Sequence, residues 1–192
     1  AQNCDWLLSD ALYDALCEHH GVSDFGAFPE DIRGLWDTDL SGASPGQGAT
    51  SLLGRELPEP SARKLASLSA EHTARMEEYS WIQFIVHEQH REFHEWTSKL
   101  GLELYGDFQV GYSRRDLWHY GATLLRDYWL GAPPSRTNPL GQPWGQPVLA
   151  PELYVDPGGG PGPALRLLLR RASKNFSEYD RLRVDHPHGL VC

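Results

Sequence analysis

Near its C-terminal end this chain of 192 residues reads YDRLRVDHPHG over positions 179–189. If this run is a strand, Leu182 and Val184 face one way and Arg183 and Asp185 the other. A guanidinium beside an aspartate favours the ionised carboxylate. An ionised carboxylate at a strand end is what a carbohydrate-cleaving nucleophile needs, since it attacks the anomeric carbon and forms a covalent glycosyl intermediate. The same two residues serve equally as a structural ion pair. Asp107, in LELYGDFQVGY over 102–112, is a second carboxylate that the pattern places at the C-terminal end of a strand. Strand C-terminal ends carry the catalytic residues of (β/α) barrels. A third candidate is HEQHREFH, where His87, His90 and His94 fall within about 60° on a helix and could together hold zinc. Its spacing is not H-E-x-x-H, and the stripe lies away from the apolar sector, so a solvated face explains it as well.

These residues need elements to position them. Residues 9–21, SDALYDALCEHHG, read as a helix with Ser9 as N-cap, a stripe of Leu12, Ala15 and Leu16, and Gly21 as the stop. A glycine- and proline-rich loop follows over 22–59. Residues 60–100 hold a long helical pattern, read as one helix or two with a bend. Its apolar sector is Ile82, Ile85, Val86, Phe93, Trp96 and Leu100, expected to be buried. The strand at 102–112 precedes a long stretch read as irregular, with prolines at 133, 134, 139, 143 and 147. DPGGGPG is a turn, 164–180 an amphipathic helix with a basic face, and RLRVDH the last strand. Strand, excursion, helix and strand is the order that builds a parallel sheet.

The formal charge of −9 and the absence of a Lys/Arg run speak against a nucleic-acid groove. No stretch reaches the roughly 18 apolar residues that span a membrane. The first residues, AQNCDWLLSD, lack the pattern of a signal peptide. Cys4, Cys17 and Cys192 are odd in number and form no CxxC pair, which suits a reducing, cytoplasmic compartment. Seven Trp and eight Tyr suit either sugar stacking or core packing; for Trp118, Tyr128 and Trp129 core packing is the expectation, with a glucan groove as the other role. An initial Ala and a final Cys close behind a rich motif suggest a part of a longer protein.

GDFQVGYSRRDLW, then LGAPPSRTNPLGQPWGQPVLAPELY, then LRVDHPHGL, in this order, resemble the 4-α-glucanotransferases called amylomaltases or disproportionating enzymes, glycoside hydrolase family 77. The likeness is strong from about residue 101 to 189 and weak across 34–64. EQH at 88–90 and the SDALYDAL helix are similar to more variable family parts. The resemblance implies an α/β fold, a partial (β/α)8 TIM barrel of the α-amylase superfamily type. Residues 1–192 would form part of one catalytic barrel domain, with a loop-rich insertion near 22–60.

What the resemblance implies is carried by single residues. Asp185 matches the catalytic nucleophile, and Arg183 the arginine that orients and ionises it. Asp107 matches a structural aspartate of the active-site floor. Pro133, Pro134, Gln142, Trp144, Gly145 and Pro147 match a loop that covers the acceptor side and guides the glucan, and His186 joins the substrate-binding set. Ser135 and Arg136 stand where many relatives have an aspartate and its neighbours, and Gln146 replaces an asparagine. The implied reaction moves α-1,4-glucan segments between maltodextrins by a retaining double displacement, with no metal or organic cofactor. The acid/base glutamate and a sugar-binding aspartate belong to later strands, so the isolated chain is expected to be inactive. The alternative is a non-catalytic glucan-binding or interaction module.

Overall fold

The structure, a computed structural model, describes residues 4–36, 51–52 and 55–190. Much of the expected loop over 22–59 and Cys192 lie outside the described residues. The chain divides into two compact units, Ala1–Leu104 and Tyr105–Cys192.

In the first unit, α1 spans Cys4–His20. It starts earlier than the serine signal implies. Ser9 lies inside the helix, and its hydroxyl donates to the Trp6 carbonyl at 3.0 Å. A serine can bond back to the preceding turn as well as cap a helix, and sequence does not separate the two uses. Gly21 ends α1 as expected, at φ 64°. Its N–H reaches the Glu18 carbonyl and that of Val22 the Cys17 carbonyl, a Schellman closure. Leu12, Ala15 and Leu16 are buried, as their spacing predicts.

A short helix α2 at Glu30–Arg33 and a two-residue hairpin, β1 at Ser51–Leu52 with β2 at Arg55–Glu56, follow. The long helical pattern is two helices, α3 at Glu59–Glu71 and α4 at Thr73–Lys99, broken at His72. Arg75 ties α4 to α1 through Asp14 at 2.8 Å and Glu18 at 2.6 Å. The expected buried face of α4 is not buried. Ile82, Ile85, Val86, Phe93, Trp96 and Leu100 are 46–57 % exposed. Periodicity reports which residues share a face; it does not report what covers that face.

The second unit contains β3 at Tyr105–Gln109, α5 at Arg114–Tyr120, β4 at Leu124–Ala132, β5 at Gln142–Leu149, α6 at Pro163–Glu178 and β6 at Arg181–Asp185. β3 and β6 are parallel, with Asp107 opposite Arg183 and Gln109 opposite Asp185. The turn and helix between them are the crossover that a parallel pair requires. Asp107 sits in the middle of β3, not at its C-terminal end, which is Gln109.

The stretch read as irregular is a long antiparallel hairpin of β4 and β5. Pro143 and Pro147 hid it, since proline usually argues against a strand. In a two-stranded sheet each strand has a free edge, and a proline facing that edge removes no ladder bond. Trp118 is in the core as expected, whereas Tyr128 and Trp129 are exposed.

α5 opens with a capping box in which Ser113 and Asp116 exchange hydrogen bonds. It delivers His119 to the interior, where the side chain is 4 % exposed and stacks on Tyr120 at 4.2 Å. Burial, helped by the Arg170 charge, pushes His119 down to about 3. The unfolded chain therefore takes up this proton first as pH falls. The stabilising effect is full above about pH 6.5 and is lost towards pH 3, at up to about 1.4 kcal/mol per pH unit. Denaturant midpoints should fall as pH drops from 7 to 4, and His119→Phe should flatten that slope. Parallel profiles for the two proteins would show that His119 is not the group responsible.

Candidate active site

The parallel register of β3 and β6 sorts side chains onto two faces. Gly106 and Phe108 fall on one face with Leu182 and Val184. Phe108 is buried there, and the Arg171 guanidinium of α6 lies 5.5 Å from its ring and 4.7 Å from that of Tyr112. Arg171 also donates to the Gly111 carbonyl at 2.9 Å, so the basic face of α6 braces the end of β3. The other face carries Tyr105 and Arg181, then Asp107 and Arg183, then Gln109 and Asp185.

On that second face Arg183 bridges two carboxylates. It donates to Asp185 at 2.7 Å and to Asp107 at 3.3 Å. The guanidinium can hold both because its donors form a planar fork. Sequence adjacency pointed to the first contact. The second, between residues 76 apart, exists only through the strand register.

Beyond Asp185 the chain turns sharply. His186 has φ 51°, a left-handed conformation that costs a non-glycine residue about 1–3 kcal/mol and must be held by its surroundings. The holding contacts are visible. Gly189 is buried against Val110 and Leu130, where an added Cβ would meet both at 3.1 Å. Leu190 packs on the cluster of Val110, Leu130 and Val148, and its carbonyl accepts from the Tyr154 hydroxyl at 2.8 Å. The imidazole Nδ1 of His186 lies 3.3 Å from the second oxygen of Asp185. Its ring meets Trp144 edge-on, with centroids 4.8 Å apart.

Trp144 is on β5, and its indole N–H donates to the Gln142 side chain at 3.3 Å. The structure therefore brings together Asp107, Arg183, Asp185, His186, Trp144 and Gln142 in one chain of contacts. Gly145, at φ 65°, makes the local twist beside Trp144. Pro147 is fully buried and anchors β5, its carbonyl accepting from the Tyr112 N–H. Pro133 and Pro134 lie in the exposed connection at the far end of the hairpin. Sequence reasoning missed the His186–Trp144 contact and the bracing by Arg171; the signal for Arg171 was its place on the basic face of α6.

The histidine stripe of α4 does not assemble. Among the described residues, the cluster of potential metal ligands is His19, Glu71 and His72, not His87, His90 and His94. No helix among the described residues is long and apolar enough to cross a membrane.

A family model described as 4-alpha-glucanotransferase matches residues 1–192. The chain belongs to the 4-alpha-glucanotransferase family. The 4-alpha-glucanotransferase of Haemophilus influenzae is 27 % identical over 169 residues, covering 83 % of this chain and 23 % of that protein. The plastid 4-alpha-glucanotransferase of Oryza sativa is 27 % identical over 117 residues, 57 % of this chain and 19 % of that protein. The amylomaltase of Streptococcus agalactiae, solved in complex with acarbose, superposes with a TM-score of 0.68 at 19 % identity, covering 94 % of this chain and 32 % of that one. The chain thus spans under a quarter of the length of these two sequence relatives and shares the fold of about a third of the solved amylomaltase.

The ion pairs of Arg183 are open to solvent, with about half of Asp107 and 39 % of Asp185 exposed. Exposed pairs of this kind contribute about 0–1 kcal/mol. Arg183→Ala should therefore shift the unfolding free energy of the chain by less than about 1 kcal/mol in a urea titration. A larger loss would mark Arg183 as a structural brace.

Proposed function

We propose that the polypeptide to which this chain belongs is a 4-α-glucanotransferase that moves α-1,4-glucan segments between maltodextrins with retention. The observation that supports this reading is the Arg183 bridge between Asp107 and Asp185. It holds one carboxylate oxygen of Asp185 at the end of β6. In the proposed reaction Asp185 attacks the anomeric carbon and the glycosidic oxygen leaves as it takes a proton from the acid/base carboxyl. The 4-hydroxyl of an acceptor glucan then displaces Asp185 from the glycosyl-enzyme and returns a proton to that acid/base group. Retaining enzymes place this second carboxyl about 5–5.5 Å from the nucleophile. By the family resemblance it is a glutamate supplied by strands outside these 192 residues.

Within this reading Arg183 keeps Asp185 aimed, and Asp107 keeps Arg183 in place. His186 and Trp144 flank the nucleophile, and the hairpin of β4 and β5, with Pro133, Pro134, Gln142, Gly145 and Pro147, guides the glucan on the acceptor side. The acarbose held by the streptococcal amylomaltase supports an α-glucan as the ligand class. The two units are read as parts of one (β/α)8 catalytic domain of the α-amylase type, with residues 22–60 as a loop-rich insertion. β3 and β6 would be neighbouring barrel strands, with the Asp107 face inward and the Phe108 face towards the helices. A cytoplasmic location and a role in starch or glycogen metabolism accompany the proposal.

The test is maltotriose disproportionation by the full-length polypeptide. Asp185→Asn should lower kcat by at least about a thousandfold, in the range seen when a covalent nucleophile is removed, while maltotriose binding persists. Turnover unaffected by that substitution would refute the assignment. Maltotriose binding with no turnover in the unsubstituted full-length protein would favour a binding module instead.

A further inference from the structure

Three potential metal ligands converge at one end of the first unit. They are His19 in the last turn of α1, Glu71 at the end of α3, and His72 at the break before α4. One ligand atom from each can be chosen so that all three lie within 4.8 Å of one another. The imidazole rings of His19 and His72 stand edge to face with centroids 5.0 Å apart. His20 packs edge-on against His19 at 4.8 Å and tilted against Phe28 at 5.8 Å, which limits the positions open to the His19 ring. Among the described residues, the side chains of His19, Glu71 and His72 have no hydrogen-bond or ion-pair partner. These three ligating groups are drawn together without being used.

We propose that His19, Glu71 and His72 form a site for a divalent transition-metal ion of the zinc type. Two imidazoles and one carboxylate are a zinc ligand set, with a fourth position left for water. In a tetrahedral site with bonds near 2.0–2.1 Å, ligand atoms stand about 3.3 Å apart. The observed spread is therefore wider than the bound geometry by about 1.5 Å at most, within reach of rotamer changes in partly exposed side chains. The surroundings also suit a cation. His19 lies at the C-terminal end of α1, where unpaired carbonyls carry partial negative charge. Arg75, the nearby cation on α4, is already occupied by Asp14, Glu18 and Glu78.

The site has a structural consequence. His72 is the residue at which α3 stops and α4 starts, so a bound ion would pin that break to the end of α1. It would act together with Arg75, which ties the same two helices one turn further on. In this reading the ion is a brace, not a reagent.

The test is calorimetric titration of zinc chloride into the chelator-stripped 192-residue chain, with a melting curve at each end point. One ion per chain should bind at micromolar concentration and raise the melting temperature by several degrees, as binding to the folded state alone requires. His19→Gln and His72→Gln should each weaken binding by about tenfold or more, and Glu71→Gln by less, while His90→Gln should change nothing. Cobalt(II) gives a second readout that does not depend on variants: intense visible bands would mark four-coordinate histidine ligation. No binding below 100 µM zinc, on the order of the weakest affinity a three-ligand site should show, would overturn the proposal. So would unchanged binding in both His19→Gln and His72→Gln, a loss confined to His90→Gln, or only the weak bands of six-coordinate cobalt.

Discussion

One arginine joining two parallel strands is the interaction around which the candidate site of the second unit is arranged. Arg183 holds Asp185 from its own strand and Asp107 from the neighbouring one. Neither contact contributes much to stability, because both lie open to water. Their value is positional. A carboxylate beside a fixed guanidinium has a defined rotamer, and the proposed role of Asp185 asks for that. The register that sets Asp107 opposite Arg183 is thus the constraint that the surrounding packing must protect.

The packing protects it from three sides. Arg171 stacks over Phe108 and Tyr112 and bonds to Gly111, fixing the end of β3 against α6. Gly189 and Leu190 pin the segment after Asp185 to the hydrophobic cluster shared with the hairpin. That cluster in turn sets the place of β5, and so of Trp144 beside His186. The strained backbone at His186 is maintained by these contacts on both flanks. The chemistry sits at the surface, and the burial that holds it lies directly behind.

The first unit shows a different economy. Its α1 packs by a narrow buried stripe and by the branched ion pairs of Arg75, while α4 carries a broad apolar face that remains half exposed. Helical periodicity records which residues share that face and not what covers it. The capping signals are similarly local. Gly21 closes α1 where glycine is needed for a left-handed residue, yet Ser9 is not a cap, because serine serves equally well inside the turn.

The sequence by itself determined several of the elements and the residues that could act. The stripe of Leu12, Ala15 and Leu16, the long helical run, the last strand and the pairing of Arg183 with Asp185 were all legible, since each follows from spacing within one element. The match of three ordered motifs to one family was legible for the same reason. What tertiary structure decided were relations between distant segments. Asp107 joins Arg183 through strand register, His186 meets Trp144 through the fold of the hairpin, and β5 pairs with β4 despite its prolines. None of these has a local signature. Backbone preferences act over a few residues, whereas contacts between segments are selected by the packing of the whole chain.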